Sequence, residues 1–261
     1  MFSLPQPDQL DETEMLDGHP IVVLQDTIED IVDVLRVLYQ PFYFDKLPSN
    51  ADLGSLVKFI SGILRISTKY SMRILRQKCI AILQSKFPST LAGCERASEV
   101  QYSSETVLAA IPLAREANIP GILPWAFYIA AHMPHEKLIK DTTLSWRDKA
   151  LCLAGKERLW EAFKTHTHFF LFEVPRVTSC QVGCAMRASQ SKAMDWNSAE
   201  RMRSGPNPLE PYSLWNDLRL CPACLKHMEA KHYEGRSKLW EQLPTYFMLG
   251  TWEDIKREQE S

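Results

Sequence analysis

The chain lacks the features that would place it in a membrane, on nucleic acid or in the common enzyme classes. No stretch approaches the roughly 20 consecutive apolar residues of a membrane-spanning helix, and no basic segment followed by an apolar one opens the sequence. Both absences point to an intracellular protein, cytoplasmic or nuclear, without a membrane partner. A basic excess is also missing: 30 Lys and Arg stand against 32 Asp and Glu, with no block of like charge. A general nucleic-acid surface needs such an excess to displace counterions from phosphates, so nucleic acid is not an expected partner. No repeat occurs at solenoid or propeller periods.

Catalytic signatures are absent as well. There is no G-x-S-x-G turn. "LAGKERLW" contains Gly155 and Lys156 but neither the earlier glycine nor the following Ser/Thr of a phosphate loop. "HMPHEKLI" supplies His135 and Glu136, but Ile139 stands where a zinc-protease helix needs a second histidine.

What remains is an ordinary globular composition, 45% hydrophobic and 24% charged in 261 residues, enough for one large or two modest domains. Seven cysteines, an odd number in a chain that can build its own core, fit a reducing compartment better than a disulfide framework.

Periodicity predicts a mainly helical fold. Ile21 to Leu24 is a β-branched run that reads as a strand without an earlier partner. Thr27 with Asp30 caps a helix carrying Ile28, Ile31, Leu35 and Leu38. Two further helices bear Leu56, Phe59, Ile60, Ile63 and Leu64, then Met72, Leu75, Cys79, Ile82 and Leu83. From Ser103 to Met133 an apolar helical stretch is divided by Pro112, Pro120 and Pro124. Ser145 with Asp148 opens another helix, while "HFFLFEV" reads equally as its extension or as a strand. A polar, loop-like segment occupies about 175–220, and a helix starting at "PACLKH" is expected to stop before Pro244.

Cys180 and Cys184 form a C-x3-C pair, and Cys221 and Cys224 a C-x2-C pair. Together they have the ligand count of a tetrahedral structural zinc site, the one cofactor these residues suggest. The plainer reading is four ordinary reduced cysteines, partly buried, with Cys221 and Cys224 simply flanking a helix start. His227 and His232, five apart on that helix, align poorly as ligands and are expected to face solvent. "CPAC" has the spacing of a thioredoxin-type redox motif but lacks the βαβ context. Packing of the helix bearing Leu225, Met228 and Leu239 against the one bearing Leu151, Leu159 and Phe163 is expected to bring the two cysteine pairs together with or without metal. Phe42, Tyr43 and Phe44, between Pro41 and Pro48, are expected to fold back onto the core rather than serve as an interface anchor.

"ILRISTKYSMRILRQKCIAIL" resembles the last helical hairpin of the BTB/POZ domain, with Ile66, Tyr70, Leu75, Cys79 and Leu83 at that family's apolar, tyrosine, leucine, cysteine and leucine places. "LDGHPIVVLQDTIEDIVDVLRVLY" resembles the same domain's late strand and following helix. The resemblance implies a mainly α (α+β) fold: a partial, helical BTB/POZ domain with little residual strand over 1–92, then an α-helical region over 93–261. The early strands and helices would lie before Met1, so a truncated gene model, isoform or fragment is expected, with "MFSLPQP" the end of an earlier helix.

"CLAGKERLWEAF", "LCPAC" and "LWEQLPTYFMLGTWEDI" resemble the C-terminal helical region of a group of fungal BTB-domain proteins. The resemblance implies a protein-protein interaction module, an adaptor or scaffold that binds other proteins without catalysis. Homodimerisation is not implied, because the family's dimer elements are the ones missing, and apolar surface is expected to be left uncovered. The alternative is a small thiol- or zinc-dependent enzyme centred on the C-terminal cysteines.

Overall fold

The computed structural model describes residues 15–17, 19–21, 23–47, 51–98, 104–173, 175, 177–180, 183–184 and 207–260. It is mainly helical and divides into two compact units, residues 1–51 with 58–81 and residues 52–57 with 82–261. "MFSLPQP" and most of the polar cysteine segment lie outside the described residues.

The first unit opens with a hairpin of two antiparallel two-residue strands, β1 (Met15–Leu16) and β2 (His19–Pro20), with Leu16 opposite His19. The strand expected at Ile21 to Leu24 is corrected: Ile21, Val23 and Leu24 join no ladder. The ladder ends on Pro20, which has no N–H to donate, and a β-branched run without a paired neighbour gains nothing by staying extended.

Helix α1 (Ile28–Tyr39) starts as read, with Thr27 Oγ1 accepting from the Asp30 N–H at 3.3 Å. Helices α2 (Leu53–Lys69) and α3 (Arg73–Gln84) meet at a tight turn in which Ser71 takes φ 55°. Two carboxylates at the entry of α1 accept from three side chains at the end of α2. Asp30 accepts a two-pronged pair from Arg65 at 2.8 and 2.9 Å, which holds its carboxyl below the usual range. Asp26 accepts from Lys69 at 2.7 Å and from the Tyr70 hydroxyl at 2.5 Å. This close approach requires Gly62, where a Cβ would lie 2.5 Å from Asp30 Oδ1 and 3.1 Å from its Cα.

In the second unit, α4 (Leu91–Ser98), α5 (Ser104–Glu116), α6 (Leu123–Ala131), α7 (His135–Lys140) and α8 (Trp146–Ala162) precede the cysteine segment. Pro112 lies inside α5 and Pro124 in the first turn of α6, where a missing N–H costs least. All of α6 except Ile129 is buried, packed on α5 and α8. Ser145 and Asp148 form the expected cap: the Asp148 N–H donates to Ser145 Oγ at 3.1 Å and Ser145 Oγ donates to Asp148 Oδ2 at 2.7 Å.

Over residues 163–173, beyond α8, the chain is neither α-helix nor strand. It makes a π-helical turn at Phe163–Thr167 and a 3-10 turn at Phe169–Leu171. After the cysteine segment come α9 (Pro222–Tyr246) and α10 (Trp252–Glu260). Contrary to the sequence expectation, α9 runs through Pro244. Proline there leaves the Trp240 carbonyl without its helical donor, and the Trp252 indole N–H takes that place at 2.9 Å, its ring stacked on Trp240. Among the described residues, no helix is long and apolar enough to cross a membrane.

Candidate metal centre

The centre is built on an aromatic and aliphatic cluster within the second unit: Phe170, Leu171, Tyr212, Leu218 and Met228. Val177 and Leu220 pack against the same cluster. Val177 lies three residues before Cys180 and Leu220 is the neighbour of Cys221, so burial of these two apolar side chains delivers both cysteine pairs to one place. On one side the chain turns at Val177–Cys180, with the Cys180 N–H donating to the Val177 carbonyl at 2.9 Å, and Gly183 takes φ 63° before Cys184. That left-handed conformation suits glycine. On the other side Cys221 is the N-cap of α9, Pro222 begins the helix and Cys224 lies in its first turn.

The four sulfurs of Cys180, Cys184, Cys221 and Cys224 lie within 4.8 Å of one another, and none of the four forms a disulfide. The convergence expected from packing is therefore present. A tetrahedron with metal–sulfur distances of about 2.3 Å has sulfurs about 3.8 Å apart, so binding an ion needs an inward shift of no more than about 1 Å. Cys184 and Cys224 are buried, while Cys180 and Cys221 are half-exposed. The Cys221 N–H donates to Cys184 Sγ at 3.1 Å.

The helix terminus also shapes the acidity of the thiols. Cys221, faced by the first-turn N–H of Cys224, sits below the ordinary thiol value, whereas burial and then the neighbouring thiols hold Cys224 well above it. For Cys184 the Cys221 N–H pulls downward, but burial and the adjacent thiols outweigh it, and the net direction is up. A cation among the four sulfurs reverses these upward shifts, because the deprotonated thiolates become its ligands.

The remaining cysteines are structural. Cys79, Cys94 and Cys152 are buried, and burial pushes each thiol up to about 12. Gly155 packs on the Phe247 ring, Lys156 donates to the Met133 carbonyl at 2.9 Å, and His135 is exposed at the start of α7. None of these belongs to the four-cysteine cluster.

His227 is exposed as expected, but His232 is a correction: it is 0% exposed. Its Nδ1–H donates to the Thr167 carbonyl at 2.6 Å and its Nε2 accepts from the Tyr212 N–H at 3.1 Å. That pair of bonds fixes the neutral tautomer. Burial pulls its pKa down to about 4, against a rise from the Thr167 bond. Spacing relative to His227 pointed to solvent, whereas the useful signal was spacing relative to the apolar residues: Cys224, Met228, His232, Gly235, Leu239 and Leu243 share the buried side of α9. Gly235 is required by the same approach, since a Cβ there would lie 2.2 Å from the His166 carbonyl oxygen in the π turn. Arg236, also buried, donates to the Leu209 carbonyl at 2.9 Å and to Glu95 at 2.5 Å.

In the first unit, the aromatic cluster after α1 is divided. Tyr43 is buried and stacked on Phe59 at 5.1 Å, and Phe44 meets Phe59 edge-on, but Phe42 is 76% exposed. Among the described residues, ten of the sixteen large exposed hydrophobic residues fall between Met15 and Phe42, so exposure is concentrated there rather than scattered. On α1, Ile28, Val32, Leu35 and Tyr39 recur at intervals of four, three and four, an apolar helix-packing seam; all but the half-buried Val32 are exposed.

No family model, curated protein or solved structure matches the chain.

Proposed function

We propose that the chain is a non-catalytic protein-interaction protein whose second unit is held by a structural zinc ion on Cys180, Cys184, Cys221 and Cys224. The single observation that carries this reading is the closed set of four sulfurs within 4.8 Å. Soft thiolates in tetrahedral number favour zinc over the hard oxygen-seeking cations. A catalytic zinc site keeps a position for water, and four cysteines leave none, which favours a structural role over the thiol- or zinc-dependent enzyme. The α1 seam supports the interaction part: its four-three spacing suits an amphipathic helix of another polypeptide. The likeness of Ile66, Tyr70, Leu75, Cys79 and Leu83 to the BTB/POZ hairpin supports an adaptor or scaffold of that type.

Elemental analysis of protein purified under reducing conditions tests the metal. One zinc per chain is expected, lost in the Cys221→Ser/Cys224→Ser double variant; protein without bound metal overturns the reading. A hydrolase or oxidoreductase activity that disappears in the same variant while the fold survives would favour the enzyme.

A further inference from the structure

We propose that the four-cysteine centre is a peroxide-responsive switch, in which Cys180 and Cys221 join in a disulfide and the metal is discharged. The proposal rests on the zinc reading above and assigns its regulation.

Accessibility chooses the pair. Cys180 and Cys221 are the half-exposed members, one from each side of the centre, whereas Cys184 and Cys224 are each 1% exposed. A small oxidant in water therefore meets Cys180 and Cys221 first. All four sulfurs lie within 4.8 Å, so the pair can close without refolding either segment.

The chemistry balances with hydrogen peroxide as oxidant. The Cys221 thiolate attacks one peroxide oxygen; the S–O bond forms, the O–O bond breaks and hydroxide leaves, so the sulfur loses two electrons and the peroxide gains them. The Cys180 thiolate then attacks the sulfenic sulfur; the S–S bond forms, the S–O bond breaks and a second hydroxide leaves. Two thiolates and one peroxide thus give one disulfide and two hydroxides. The ion keeps only Cys184 and Cys224 and departs. A four-point clamp becomes a single covalent link, which keeps the segment between Cys180 and Cys221 tethered but frees Cys224 and the first turn of α9. Buried Cys79, Cys94 and Cys152 are out of the oxidant's reach, which confines the reaction to the centre.

The test uses the full chain, purified reduced and zinc-loaded, with free glutathione in the same tube as a measure of oxidant strength. Hydrogen peroxide is added, zinc release is followed with a chromogenic chelator, and disulfides are mapped by mass spectrometry after alkylation. The expected result is release of the bound zinc with a Cys180–Cys221 crosslink, alkylated Cys184 and Cys224, and reversal by a thiol reductant with added zinc. Zinc that stays bound while glutathione is oxidised overturns the switch and leaves the zinc reading standing. A Cys221–Cys224 crosslink in place of the cross-segment one does the same. Absence of zinc before peroxide is added overturns the zinc reading and the switch with it.

Discussion

Helix α1 carries eight apolar residues among four charged ones and buries only Val34, whereas α6 carries no charge and buries eight of its nine residues. The difference lies partly in this composition and partly in their neighbours. α6 is enclosed by α5, α8 and α9, so nearly every side of it meets apolar surface. α1 is anchored through polar contacts to Arg65 and through Val34, and its other face carries Ile28 at 77% and Tyr39 at 82% exposure. Each apolar Å² left in water forgoes about 25 cal/mol, so the α1 face holds an unrealised driving force that α6 has already spent. A helical pattern states which residues favour burial; it does not state which polypeptide buries them.

The strongest way to sharpen the contrast is to remove the clamp of the second unit. All seven tryptophans lie at or beyond Trp125, so tryptophan fluorescence follows that unit and is blind to the first. Chelation, or Cys184→Ala with Cys224→Ala, is expected to lower the fluorescence-detected stability by on the order of 5 kcal/mol. That is below the roughly 10–16 kcal/mol that zinc gives small fingers, because the cluster around Phe170 and Met228 folds these segments in part without it. An unchanged fluorescence transition after chelation would mean that hydrophobic packing alone holds the cysteine pairs.

Acid should act on the second unit through His232. Its pKa falls from the ordinary 6.5 to about 4 on folding, because burial penalises the cation. The unfolded chain then binds the proton first as pH drops, so the contribution is complete above about pH 6.5, shrinks between 6.5 and 4, and is gone below. A shift of this size corresponds to about 3 kcal/mol. Urea midpoints measured at pH 7.5 and pH 4 should differ more for the wild type than for His232→Gln, which cannot take the proton. Equal pH dependence in the two proteins would remove His232 as the cause.

Much of the fold could be read in advance, because the relevant interactions are local. The Thr27 and Ser145 caps act over three residues, and both hydrogen bonds form as the spacing indicates. The cysteine pairs were legible as ligand spacing, although their meeting depends on Val177 and Leu220 burying against a cluster gathered from distant positions. Readings failed where a remote group decided the outcome. Pro244 stays within α9 because an indole eight residues further on supplies a donor to Trp240. His232 is neutral and buried because Thr167 and Tyr212, from two other segments, satisfy both ring nitrogens. The expected strand at Ile21 to Leu24 failed because propensity supplies no pairing edge.

A smaller effect isolates the anchoring of α1. In Gly62→Ala the new methyl would meet Asp30 at 2.5 Å, displacing the carboxylate from the Arg65 fork or lifting α1. Overpacking of this kind costs about 2 kcal/mol. Far-UV circular dichroism, which sees both units, should register that loss while tryptophan fluorescence shifts little. If fluorescence shifts equally, the two units do not unfold separately.

The smallest stability effect, and the sharpest test of the comparison, comes from the exposed seam itself. Leu35→Glu with Tyr39→Ser changes side chains that are 45% and 82% exposed, so folding stability should move by no more than about 0.5 kcal/mol. Association should respond instead. A seam with four-three spacing left in water attracts other apolar surfaces, and the wild type is expected to sediment with a concentration dependence that the double variant lacks. Equal sedimentation of the two proteins would deny this face a role in binding. A stability loss of about 2 kcal/mol or more would mean that the seam is already covered in solution, and α1 would then differ from α6 only in which surface does the covering.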